Sequence, residues 1–123
     1  MTPLNNVLNI ESAERVVNFV AGAAVVAGFA YNLYSKGPAI SAAEWLFDAT
    51  LHGARTFLPS DSSIRKYVLP VGDAVRVFQI LSLGDNATIN PKIGYPDSLV
   101  HIANLFFTGI AYFRSTAAHV KMH

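Results

Sequence analysis

Residues 16–35 read VVNFVAGAAVVAGFAYNLYS, a stretch of twenty without a formal charge, bounded by Arg15 and Lys36. A helix of that length covers ~30 Å, the thickness of a bilayer's hydrocarbon. Its interior is rich in small residues. Ala24 and Gly28 form a small-xxx-small pair and Ala21 lies on the same face, a pattern that lets a second helix approach closely in lipid. In water, each helical glycine costs ~1 kcal/mol against alanine with no compensating gain. Tyr31 and Tyr34 fall where an interfacial aromatic belt would place them. The competing reading is the central helix of a soluble bundle, with Asn18 and Asn32 at its wet edge. The uncharged run and its glycines favour lipid.

Composition points the same way. The 123 residues are 52% hydrophobic and 14% charged, with mean hydropathy +0.35, whereas soluble domains carry ~25% charged residues. A chain so poor in charge hides surface in lipid, in an oligomer, or in both. Its net charge of +1 and single adjacent basic pair, Arg65-Lys66, argue against a nucleic-acid partner. The absence of cysteine excludes disulfides, thiolate metal sites and cysteine nucleophiles. The N-terminal stretch lacks the basic region of a secretory signal, so the first helix is expected to be retained.

The fold class expected is all-α, with three or four helices over about 10–36, 41–58, 62–83 and 97–118, in one domain. Asn9 is the expected cap of the first helix, and Lys36-Gly37-Pro38 its stop. Ser41 and Glu44 form a capping box opening the second. In that helix Phe47, Leu51, Ala54 and Leu58 make an apolar stripe, opposite Glu44, Asp48, His52 and Arg55, which are assigned to a wet face. Pro70 predicts a kink near 70–73 in the third helix. Residues 84–97 read as a long loop. In the fourth helix, His101, Asn104, Thr108, Tyr112, Ser115 and His119 recur at three- and four-residue steps, a neutral polar stripe suited to an interhelical seam.

Three spans (the first, third and fourth helices) would put Lys36, Arg55, Arg65, Lys66, Arg114 and Lys121 on one side and Arg15 and Lys92 on the other. By the positive-inside rule the N-terminus is then outside and the C-terminus cytoplasmic. Two spans are the alternative count. The second helix lies along the interface, its stripe in the acyl boundary.

Catalytic constellations are almost absent. Glu44 and Asp48 have the spacing of paired carboxylates but sit on the expected wet face. His119 and His123 have a metal-ligand spacing without a third ligand. His101 reads as a hydrogen-bonded seam histidine rather than a haem ligand or proton relay, and no catalytic residue, cofactor or metal is assigned. Asp73 and Arg76, three apart, are the intramembrane charge-pair candidate. Asn86-Ala87-Thr88 matches a glycosylation sequon. The leading functional expectation is a small multi-pass membrane protein acting as a structural or accessory subunit of a larger assembly or homo-oligomer. Its partners would be membrane lipid and other subunits or copies of itself, contacted through Ala21, Ala24 and Gly28 and through His101, Asn104, Thr108 and Ser115. The alternatives are a soluble all-α oligomeric coat or scaffold protein, and a small pore or transport component with Asp73, Arg76 and His101 along a polar path.

Overall fold

The computed structural model describes the backbone over 3–36, 42–83 and 91–122, and side chains over 10–34, 44–82 and 95–114. Backbone hydrogen bonds close within four helices: α1 (Pro3–Lys36), α2 (Ala42–Phe57), α3 (Leu69–Leu83) and α4 (Pro91–Met122). A π-helical turn, Ile64–Val68, leads into α3. Among the described residues there is no strand.

Each boundary has a local cause. Helix α1 starts at Pro3, not near Ile10 as expected; proline suits a first turn because its missing N–H has no intrahelical partner there. Helix α4 likewise starts at Pro91, so residues 91–97 are helix, not loop, and Pro96 lies inside it. Ser98 Oγ donates to the Tyr95 carbonyl at 2.6 Å beside that proline. The kink expected at 70–73 is moved upstream. The Leu69 amide bonds the Ile64 carbonyl, a step of five residues, and Leu69 itself keeps helical φ and ψ of −62° and −39°. This wider turn comes just before Pro70, whose ring nitrogen has no hydrogen to donate, and the chain enters α3 without a break. The expected features at Gly37–Ser41, Gly84 and Asn86–Thr88 lie outside the described residues, as do the side chains of Asn9, Ser115 and His119 and all of His123.

Connections between successive helices are short, which favours antiparallel neighbours. Asn18 of α1 meets His52 of α2, and Phe29 stacks on Trp45 with ring centroids 4.4 Å apart, so rising numbers on α1 meet falling numbers on α2. Arg55 and Asp48 of α2 reach Asp73 and Arg76 of α3 in the same antiparallel sense. Helix α4 packs on α1 and α3, completing a ring.

The distribution of polarity is inverted. Among the described residues the buried apolar ones are Ala21, Val25, Leu51, Leu69 and Ile80, and the buried polar and charged ones outnumber them. Large apolar side chains point outward from every helix: Val16, Phe19 and Val20 on α1, Phe57 on α2, Phe78 and Leu81 on α3, Leu99, Phe106 and Phe113 on α4. One expectation is thereby corrected. The polar face of α2 is the inner one: Asp48, His52 and Arg55 are each at most 1% exposed, so α2 is a member of the bundle with its charges turned inward. The inward stripe of α1 is Glu14, Asn18, Ala21, Val25 and Asn32, whereas Ala24 is exposed and Gly28 half-buried. The polar residues choose which face turns inward, and the small-residue pair does not.

Close helix approach occurs instead at Gly22, where an added Cβ would lie 3.2 Å from the Cβ of His52. Around Gly109, on α4, nothing lies within 4 Å of such an atom. Gly22→Val should therefore force α1 and α2 apart and destabilise the fold by about 1–3 kcal/mol. Gly109→Ala should be neutral or stabilising by up to ~1 kcal/mol. Thermal unfolding midpoints of the two variants against the parent check both.

Candidate functional site

The inward faces of the four helices build one ionic network. At the end formed by the start of α1 and the close of α2, Arg15 donates to the Thr56 and Leu58 carbonyls at 2.7 and 2.8 Å, satisfying acceptors that the end of α2 leaves open. Glu14 accepts from Arg55 and Arg65, both at 2.6 Å. Arg55 also donates twice to Asp73 Oδ2, at 2.9 and 2.7 Å, and to the Thr108 hydroxyl at 2.9 Å. Arg65 donates to the Arg55 carbonyl at 2.5 Å. A cavity of about 770 Å³ opens onto this level, lined by Glu11, Glu14, Arg55, Arg65, Lys66 and Thr108 among others.

Deeper in the bundle, Asp73 Oδ1 accepts from His101 Nδ1 at 2.6 Å and from Asn104 Nδ2 at 3.1 Å. Asn18 Nδ2 donates to the Glu14 carbonyl and to Asn104 Oδ1, at 2.8 and 2.7 Å. That fixes the amide's orientation and leaves Asn18 Oδ1 as the acceptor facing His52 Nδ1, 2.8 Å away. Both imidazoles therefore spend Nδ1–H on an oxygen of a neighbouring helix. The rings stack with centroids 4.5 Å apart.

Both Nε2 atoms then point between two carboxylates. His52 Nε2 is 2.6 Å from Asp97 Oδ1 and 3.1 Å from Asp48 Oδ1; His101 Nε2 is 3.2 Å from Asp48 Oδ1 and from Asp97 Oδ2. One ligand atom from each of Asp48, His52, Asp97 and His101 lies within 4.8 Å of the others, and all four residues are buried. Arg76 closes the level by donating to Asp48 Oδ2 and to Gln79.

Of the residues singled out from sequence, His101, Asn104 and Thr108 do share an inward face, but they meet helices of their own chain. Asp73 and Arg76 both enter the network and take partners on other helices: Arg55 and His101 for Asp73, Asp48 for Arg76. Ala21, Ala24 and Gly28 take no part. Sequence reasoning missed Glu14, Asn18, Asp48, His52, Arg55, Arg65 and Asp97. A signal was present. Asp48-Ala-Thr-Leu-His52 and Asp97-Ser-Leu-Val-His101 are the same Asp-x-x-x-His pattern, which puts a carboxylate and an imidazole on one helical face.

No protein-family model, curated protein or solved structure matches this chain.

Removing one partner from a buried ion pair strands the other charge, at about 3–5 kcal/mol. Arg55→Leu, which leaves Glu14 and Asp73 without their shared cation, should destabilise on that scale. Lys66→Leu, at an exposed position, should change stability by less than ~0.5 kcal/mol. Denaturant titrations of both variants provide the comparison.

Proposed function

We propose that this chain is a small integral membrane protein that takes up a small cation and passes it through the ionic core of its bundle. One observation supports this reading above all: a continuous set of buried carboxylates, imidazoles and guanidinium groups beneath an apolar exterior. Charged residues are almost never fully buried without partners, and within a bilayer ionisable groups are expensive and mark ion or proton pathways. An accessory subunit, the leading expectation from the sequence, accounts for the outward Val, Leu and Phe side chains but gives the charged interior no task. A transport component uses both. The cavity reaches Glu14 and Arg55, and from Arg55 hydrogen-bonded contacts run through Asp73 to His101 and the carboxylates beyond.

Helix α1 is long and apolar enough over Ile10–Tyr34 to cross a membrane, and only 17% of its most apolar stretch is buried within the bundle. In the proposed arrangement all four helices span. Helix α2, at ~24 Å, is short for ~30 Å of hydrocarbon, a mismatch that local thinning accommodates. Lys66, Arg114 and Lys121 then lie on the side of the termini, and Lys36 and Lys92 on the other. The positive-inside rule puts both termini in the cytoplasm, in place of the three-span arrangement with an external N-terminus.

Membranes from expressing cells should retain the protein through an alkaline carbonate wash and release it to mild detergent. Free, monodisperse protein in the wash would instead favour the oligomeric coat or scaffold. Vesicles reconstituted with the protein, carrying an internal pH-sensitive or zinc-sensitive dye, should show cation entry that Asp73→Asn lowers at least tenfold. Folded, inserted protein that moves neither cation would remove the transport reading.

A further inference from the structure

The geometry points to Asp48, His52, Asp97 and His101 as a four-coordinate site for a divalent first-row transition ion of the Zn²⁺ class, and we propose that such an ion is the cation this bundle binds. The inference deepens the cation-handling reading, although the site itself stands on side-chain geometry alone.

Three features of the quartet suit a metal. First, its donor set is two imidazole nitrogens and two carboxylates, without sulfur, in keeping with the absence of cysteine from the chain. Imidazole and carboxylate together suit Zn²⁺ and its divalent neighbours rather than Cu⁺. Second, the spacing is right. Bonds of about 2.0–2.1 Å to nitrogen and oxygen place tetrahedral ligands roughly 3.3 Å apart. The contacts of His101 Nε2 to Asp48 Oδ1 and to Asp97 Oδ2 are 3.2 Å, and that of His52 Nε2 to Asp48 Oδ1 is 3.1 Å. His52 Nε2 to Asp97 Oδ1, at 2.6 Å, must open by roughly 0.7 Å to reach that tetrahedral spacing, and the wider separations of the quartet, all within 4.8 Å, must close.

Third, the surroundings orient the ligands as metal sites require. A neutral imidazole has one N–H and one lone pair. Asn18 Oδ1 and Asp73 Oδ1 each accept at Nδ1, so Nε2 of each ring is the atom left for the carboxylates, which it meets through a proton in the metal-free chain. A divalent cation that displaces those protons finds both Nε2 atoms beside both carboxylates. Metal-bound histidines almost always donate their other N–H to a carboxylate or carbonyl in this way. Asp73 and Asn18 are thus positioning residues, and the metal would be held by α2 and α4 across the bundle. Each helix supplies an Asp-x-x-x-His pair.

The test uses purified full-length protein in mild detergent, stripped with chelator, with His119→Ala and His123→Ala in the background so that the C-terminal histidines cannot bind the probe. Titration with Co²⁺ should give the intense visible absorption of a tetrahedral centre at one equivalent per chain, displaced by Zn²⁺. Asp97→Asn or His101→Gln should abolish it. Asp73→Asn should keep the tetrahedral spectrum but weaken affinity ~10–100-fold, the range for loss of a ligand's orienting partner. If the ligand variants fold poorly, X-ray absorption of the zinc-loaded parent replaces them, with nitrogen and oxygen neighbours and two imidazoles expected. No stoichiometric Co²⁺ binding, or binding with an octahedral spectrum that survives Asp97→Asn, would overturn the site. Proton entry into vesicles without metal binding would reject the metal while keeping the transport reading. Metal binding without flux would do the reverse.

Discussion

A single guanidinium sets the register of the whole bundle. Arg55, on α2, donates to Glu14 of α1, to Asp73 of α3 and to Thr108 of α4, so one planar, fully charged group fixes the axial position of every other helix. Hydrogen bonds between charged partners are short and directional. Helices joined only by apolar contacts can slide by fractions of a turn. Here a slide would strand a carboxylate, and the penalty for a stranded buried charge exceeds most packing terms.

That dependence is sharpened by how little apolar core there is. Among the described residues, Ala21, Val25, Leu51, Leu69 and Ile80 are the buried apolar ones, and more of the buried side chains are polar or charged. In lipid, helices associate through close packing and interhelical hydrogen bonds, since the tails are as apolar as the side chains. Both devices occur together. Gly22 lets α1 approach His52, and Gly72 sits against Leu51. At the same levels Asn18 and Asp73 hold the two imidazoles. The contacts that bring the helices together are thus the contacts that orient the candidate ligands, and architecture and site cannot be altered independently.

The π-helical turn carries a related constraint. Arg65, Leu69, Asp73, Arg76 and Ile80 all face inward, at steps of four, four, three and four residues. The step from Arg65 to Leu69 crosses the wide turn, which lags the chain's rotation and brings Asp73 to the bundle axis. Irregular turns of this kind concentrate at functional sites, and here the irregularity aims the carboxylate that Arg55, His101 and Asn104 share.

By itself, the sequence determined the helical class, the apolar character of the first helix and, at His101, Asn104 and Thr108, the inward polar face of the fourth, because these follow from local periodicity and from turn-forming residues; Tyr112 of the same expected stripe is exposed. Its limits appear at α2. A face bearing Glu44, Asp48, His52 and Arg55 looks wet by the rule that charges seek water, and that rule does not count partners on other helices. Only the tertiary structure decided that the charges turn inward. Three of them meet a complement from a residue far away in the chain: Arg55 finds Glu14 and Asp73, Asp48 finds Arg76, and His52 finds Asp97. Spacing along one helix cannot reveal pairing between helices, which depends on axial register and rotation. For the same reason Asp73 and Arg76 resembled a local pair, and the twin Asp-x-x-x-His segments became one site only when α2 and α4 faced each other.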